Sequence, residues 1–287
     1  VIKCIAIDMD GTLLNKNEKV SQANEQAFKR AQEQGVEVVV ATGRPYIEAR
    51  HALDEANITC SLISINGAVI WNEKGEKIAS NPMLKSDVSK AQKILEDASI
   101  YFELFTSKGR FTKKRSVSIA IIMDILKSAF PNEDPANLEK QVNEHFEMGH
   151  IHEIDNYEEL INDDEVELYK MLAFSHELNQ LGKSGEEIKS TTTLVVSSSG
   201  VGNLEITSFD AQKGEALEKF VAEKNISLSE TMAIGDSYND WSMFEKAGKA
   251  VAMGNAPLDI QEFCDEVTLT NAEDGVAHAI LKAISNK

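Results

Sequence analysis

The chain has 287 residues, enough for one large or two medium domains around a substantial core. Its 29 basic and 47 acidic residues give a net charge of −18, which argues against nucleic acid or an anionic membrane as principal partner. A content of 42% hydrophobic and 26% charged residues is that of an ordinary globular protein, and any phosphorylated substrate would need local cations to approach it.

Ile5-Ala6-Ile7 reads as a buried parallel strand running into Asp8-Met9-Asp10-Gly11-Thr12. Two acids at the C-terminal end of a strand are costly unless something cationic neutralises them, and in open α/β sheets ligands gather at that end. Asp8 and Asp10 are therefore a candidate metal and reaction site; the plainer alternative is a pair of surface turn acids. Ser21 suits the N-cap of a helix with Ala23, Ala27, Phe28 and Ala31 on one side and Gly35 at its end. Residues 36–41 form a second apolar strand, ending in Thr42-Gly43-Arg44-Pro45, and Pro45 suits the first turn of the next helix. Residues 62–65 form a third, ending in Asn66-Gly67. This alternation predicts an α/β fold with a doubly wound, Rossmann-like parallel sheet.

The pattern then changes. Residues 68–71 and 76–79 flank Asn72-Glu73-Lys74-Gly75 as a hairpin. Helical periodicity at 86–98, 113–130, 136–146 and 176–189 is mixed with strands at 101–105, 151–154, 168–174 and 193–197, as in an inserted α+β module. The expected division is 1–83 and 200–287 for the core domain and 84–199 for the insert. Pro131-Asn132-Glu133-Asp134-Pro135 reads as a loop and Gly200-Val201-Gly202 as a hinge. His150-Ile151-His152 reads as an exposed strand, and Tyr101, Phe102, Phe105 and Phe111 as core. Residues 203–207 are expected to return to the core sheet before Lys213-Gly214 opens an amphipathic helix. Residues 231–234 form a buried strand ending in Gly235-Asp236-Ser237-Tyr238-Asn239-Asp240. Strands at 249–253 and 266–269 and a helix at 275–284 close the chain.

Cys4, Cys60 and Cys264 lie far apart and form no CxxC, so neither a zinc knuckle nor a disulfide framework is expected, and a reduced cytoplasmic setting fits. With no basic-then-apolar stretch ahead of the first strand, no secretory signal is expected. The most apolar segment, 117–126, contains Asp124 and is too short to span a bilayer.

Each strand-end group is weak evidence alone: a Thr before Gly is usual in turns, a Lys at a helix start is usually solvated, and an acid after Gly is often an N-cap. Together, Asp8-x-Asp10-Gly11-Thr12, Thr42-Gly43-Arg44, Lys213-Gly214 and Gly235-Asp236-Ser237-x-Asn239-Asp240 resemble the four motifs of the haloacid dehalogenase-like hydrolase superfamily, over nearly the full chain. The Asn66-Gly67-Ala68 turn, the long insertion and Met253-Gly254-Asn255-Ala256 resemble its Cof-type branch, which carries a large α+β cap.

The resemblance implies a phosphatase in which Asp8 attacks phosphorus to give an aspartyl-phosphate, with Asp10 as general acid and base. A carboxylate ~3.5 Å from a phosphate dianion is repelled by on the order of 9 kcal/mol at an effective dielectric near 20, so compensating cations are required. The resemblance places Mg²⁺ on the Asp8 carboxylate, the Asp10 backbone carbonyl and Asp236. It sets Lys213 and Thr42 on the phosphoryl oxygens and Asp240 behind them, orienting Lys213 or a metal-bound water. Gly43, Arg44, Asn66 and Asn239 are expected at the substrate rim. The implied substrate is a small phosphorylated metabolite, a sugar phosphate first, then pyridoxal phosphate or flavin mononucleotide. A phosphomutase with the same nucleophile and a non-enzymatic phospho-acceptor module are the other two readings. The second of these places its acid pair and acceptor Asp on different strands, in a much shorter domain.

Overall fold

The computed structural model describes residues 1–129, 134–147, 150–198 and 202–285. In chain order the first elements are β1 (Cys4–Asp8), α1 (Gln22–Glu33), β2 (Glu37–Ala41), α2 (Tyr46–Glu55), β3 (Ser61–Ser64), β4 (Val69–Trp71) and β5 (Lys77–Ser80). Then come α3 (Lys85–Asp97), β6 (Tyr101–Thr106), β7 (Gly109–Thr112), α4 (Arg115–Ala129), α5 (Pro135–Glu147), β8 (Ile151–Glu153), α6 (Glu158–Asn162), β9 (Leu168–Phe174), α7 (Leu178–Thr191), β10 (Val195–Ser197) and β11 (Asn203–Thr207). The chain closes with α8 (Lys213–Glu223), β12 (Thr231–Gly235), α9 (Trp241–Lys246), β13 (Lys249–Ala252), α10 (Leu258–Phe263), β14 (Glu266–Val267) and α11 (Gly275–Ser285).

These elements divide into two compact units, one of Val1–Asn81 with Asp210–Lys287, the other of Pro82–Phe209. The first holds a sheet of order β14-β13-β12-β1-β2-β3-β4-β5, parallel from β14 to β3 and closed at one edge by the antiparallel β4–β5 hairpin. Its central strands are buried on both faces, which is why they read as unbroken apolar runs. Ile5 and Ile7 of β1 face Phe28 of α1, Leu53 of α2 and Ile280 of α11, whereas Cys4 and Ala6 face Phe220 of α8, Phe244 of α9 and Ile260 of α10. Ser21 caps α1 by accepting from the Asn24 N–H at 3.1 Å.

In the second unit the sheet order is β10-β11-β9-β6-β7-β8. One face packs Phe102, Leu104, Met171 and Ile206 against Val88 and Leu95 of α3, Leu160 of α6 and Leu181 and Ile188 of α7. Helices α4 and α5 share a small cluster of Met123, Leu138 and Val142.

The expected return to the core sheet at 203–207 is corrected: β11 pairs antiparallel with β9 and β10, so the second unit runs to Phe209 and the junction drawn at 199/200 falls short. Nothing in Asn203-Leu204-Glu205-Ile206-Thr207 marks which sheet it joins, because both offer a half-buried strand position. Strand β7 and helices α6, α9 and α10 span four to six residues, too few for a periodicity to show. Phe102 and Phe105 are buried, and His152 stacks on Phe111. Residues 131–133 of the expected Pro131–Pro135 loop, and Gly200 and Val201 of the expected hinge, lie outside the described residues. Among the described residues no helix is long and apolar enough to cross a membrane.

Candidate active site

Strands β1, β2, β3 and β12 lie side by side with β1 at the centre, and the register Asp8↔Ala41 and Ile7↔Ile234 brings Asp8, Thr42 and Asp236 to one end of the sheet. Lys213, the first residue of α8, is fully buried there. Its ammonium donates to Asp8 Oδ1 at 2.5 Å and to Asp240 Oδ1 at 2.7 Å. The second oxygen of Asp240 accepts the backbone N–H groups of Asp236 and Ser237, each at 3.0 Å, so this carboxylate is spent on holding the lysine and the Gly235–Asp240 turn.

Asp8, Asp236 and Asp240 each offer an oxygen within 4.8 Å of the others. Burial pushes the Asp8 carboxyl well above the ordinary carboxylate range, and the charges of Asp240 and Asp236 push the same way against Lys213. Burial, then the charge of Asp240, raises Asp236 to about 6. For Lys213 burial pulls down, but Asp240 and Asp8 outweigh it and hold the ammonium above its usual range. Three carboxylates against one ammonium is an unbalanced set whose members resist ionising together. A hard divalent cation on oxygen ligands is what such a set fits. Asp8 and Asp236 are the side chains with most capacity to hold it, since the two oxygens of Asp240 already take three donors, two of them fixed backbone N–H groups and the third the Lys213 ammonium.

The turn after β1 brings the two halves of the sequence together. Gly11 has φ +77°, and a Cβ there would strike the Asp236 carboxylate. Asp10 turns outward: its side chain is 53% exposed and takes a two-pronged ion pair from Arg44, Nε to Oδ2 at 2.9 Å and Nη2 to Oδ1 at 2.5 Å. Arg44 also reaches Glu18 at 3.4 Å. Thr42 is fully buried, with its hydroxyl accepting the Arg44 N–H at 3.1 Å and its carbonyl accepting the Asn66 N–H at 2.9 Å.

Asn66 follows Ile65, and both sit at positive φ (+54° and +51°), a strained pair of left-handed residues. The turn continues through Gly67 at φ +101°, where a Cβ would collide with the Gln212 backbone just ahead of Lys213. The Asn66 side-chain oxygen accepts from Asn239 at 3.1 Å, and a Cβ on Gly43 would lie 3.1 Å from that same oxygen. The ten sequence-derived residues thus gather at this end of the sheet, with Asp10 facing Arg44 and Asn66 facing Asn239. A cavity of about 300 Å³ lies elsewhere, lined by Glu37, Cys60, Ser61 and Lys224 among others, and contains none of them.

Three further residues were missed as site members. The Thr12 hydroxyl donates to Asp236 Oδ1 at 2.9 Å, Asn255 Nδ2 donates to the Gly11 carbonyl at 2.9 Å, and Ser242 Oγ accepts the Gly214 N–H at 3.0 Å. Thr12 and Asn255 stood inside strings already singled out; Ser242 carried no signal.

A family model described as haloacid dehalogenase-like hydrolase matches residues 5–280. The chain is 38% identical to the Bacillus subtilis phosphatase YwpJ, over 96% of this chain and 98% of that protein. It is 36% identical to the B. subtilis 5-amino-6-(5-phospho-D-ribitylamino)uracil phosphatase YwtE, over 100% and 99%. A solved haloacid dehalogenase-like hydrolase from B. subtilis superimposes with a TM-score of 0.84 at 38% identity, covering 98% of this chain and 99% of that one.

Proposed function

Since this chain belongs to the haloacid dehalogenase-like hydrolases and is a phosphatase, we propose that it hydrolyses small phosphate monoesters, sugar and sugar-alcohol phosphates first, through a phosphoryl group carried on Asp8 with Mg²⁺ bound beside it. The observation that carries this reading is the convergence of Asp8, Asp236 and Asp240 at the end of the central strand, with Lys213 bonded to Asp8 and Asp240.

Asp8 attacks phosphorus in line with the ester oxygen. The P–O bond to the alcohol breaks as the Asp8–phosphorus bond forms. Asp10 gives its proton to the departing alkoxide, then takes one from the water that cleaves the acyl-phosphate and returns Asp8 and free phosphate. Arg44 fixes the direction in which the Asp10 carboxylate lies between turnovers. Lys213 meets the phosphoryl oxygens, Thr42 donates its hydroxyl to one of them, and Asp240 keeps Lys213 charged and aimed. Asp8, Asp236 and the Asp10 carbonyl would hold the divalent cation, which when bound offsets the repulsion between the nucleophile and the phosphate. Gly43, Arg44, Asn66 and Asn239 form the rim for the rest of the substrate.

The phosphoribityl compound named for the relative YwtE is a sugar-alcohol phosphate and heads the substrate panel; pyridoxal phosphate and flavin mononucleotide follow. A reduced cytoplasmic setting suits such substrates. The test is inorganic phosphate release from this panel with Mg²⁺ and with chelator. Metal-dependent release from at least one member is expected, and an equal rate in chelator would overturn the reading.

A further inference from the structure

Asn255 follows Gly254 in the turn after β13 and is exposed, so it contributes little to the core. Each end of its amide is nevertheless committed. The Nδ2 group donates to the Gly11 carbonyl at 2.9 Å and lies 3.3 Å from Asp236 Oδ2. The Oδ1 atom accepts the backbone N–H of Asn271 at 2.9 Å, and the Asn271 side chain donates to the Leu14 carbonyl at 2.9 Å. A backbone carbonyl can only accept and a backbone N–H can only donate, so these partners fix which way the Asn255 amide points.

We infer that Asn255 is a positioning residue for the cation-binding acids: it locks Asp236 against the turn that carries Asp8 and Asp10, and so sets the affinity for the divalent ion. This rests on the reading of Asp8 and Asp236 as the cation site. Asp236 is met by one donor on each oxygen, Thr12 on Oδ1 and Asn255 on Oδ2, from different parts of the chain. Asn255 also bridges the two groups that touch at the Gly11 turn, the Gly11 peptide and the Asp236 carboxylate. The loop does not depend on this side chain for its shape. Gly254 N–H donates to the Leu269 carbonyl at 3.1 Å, Ala256 N–H donates to the Met253 carbonyl at 3.0 Å, and the Gln261 side chain donates to the Gly254 and Ala256 carbonyls at 3.3 and 2.7 Å. What the Asn255 amide adds is the direction of Asp236.

The experiment is calorimetric titration of Mg²⁺ into the metal-free full chain, with urea unfolding in chelator as a control. For N255A the dissociation constant for Mg²⁺ rises about tenfold, the scale of an outer hydrogen-bond partner, while the unfolding midpoint in chelator stays at the wild-type value. For N255D the loss is at least as large, because a carboxylate oxygen then faces the Gly11 carbonyl and Asp236 in place of a donor. Were Asn255 acting through charge or as a direct ligand, N255D would bind the ion more tightly than wild type, which overturns the inference. Unchanged affinity in N255A overturns it as well. If the wild-type chain itself takes up no Mg²⁺, the cation-site reading fails and this inference falls with it, an outcome distinct from the other two.

Discussion

Glu103 of the second unit and Asp8 of the first are both buried carboxylates on a strand, but their surroundings differ in charge. Glu103 is ion-paired to Arg110 and accepts from the hydroxyls of Tyr101 at 2.7 Å and Ser118 at 2.6 Å. Nearby on the same sheet, Lys170 meets Glu205 at 2.8 Å. Glu103 and Glu205 each have their own cation, and the Glu103 network acts as scaffold, tying β6, β7 and α4 together. Around Asp8, one ammonium serves Asp8 and Asp240, and Asp236 lies within reach with no ion pair of its own among the described residues. A buried set left short of positive charge is poised for an incoming cation; a balanced one is not.

That contrast can be broken most severely at Asp8, the proposed nucleophile. D8N should lower kcat by on the order of 10⁴ or more, measured as phosphate release. Its metal-free unfolding midpoint should stay level or rise, because a poorly neutralised buried charge is gone. D10A should lose ~10²–10⁴ in kcat while still binding Mg²⁺ by calorimetry. The balanced side predicts the opposite split. E103A strands Arg110 without its partner and should cost about 3–5 kcal/mol in urea unfolding, with turnover per folded molecule retained.

A third test sharpens the comparison through pH. Asp236, at about 6 in the folded chain against an ordinary 3.8, keeps a proton that the unfolded chain has lost between those values. Its contribution to metal-free stability is therefore complete at low pH and disappears as pH rises toward and past 6. Asp8, also raised, works in the same direction. Mg²⁺ at the proposed site would bind the ionised forms, so the thermal shift it produces should be large at pH 7.5, about 2.7 kcal/mol at a hundredfold excess over its dissociation constant, and much smaller at pH 5. A shift independent of pH would mean that these acids do not hold the ion. The smallest effect is expected at the half-exposed Arg44–Asp10 pair: R44A should change stability by about 1 kcal/mol, and any fall in turnover should track the freed Asp10 rather than the binding of Mg²⁺.

Much of this was legible because buried parallel strands write themselves as apolar runs and reactive groups follow directly at their ends. Asp8, Thr42 and Asp236 could be read in that way, and Lys213 only through the motif it opens at a helix start; the hairpin at Asn72–Gly75, with its Asn72 carbonyl–Gly75 N–H turn at 3.0 Å, was legible too. The destination of Asn203–Thr207 could not, since a five-residue half-buried strand fits either sheet until its partners are known. Nor could the role of Asn255, whose partners Gly11 and Asp236 lie 244 and 19 residues away.

By itself, then, the sequence determined the longer buried strands, the turns that end them and the residue types placed there, because these depend on local pattern and backbone freedom. Only the tertiary structure decided which oxygen faces which donor: that Lys213 divides itself between Asp8 and Asp240, that Asp10 turns to Arg44, and that Thr12 and Asn255 close on Asp236. Those choices depend on ångström-scale distances between segments brought together by the sheet, and no pattern along the chain encodes them.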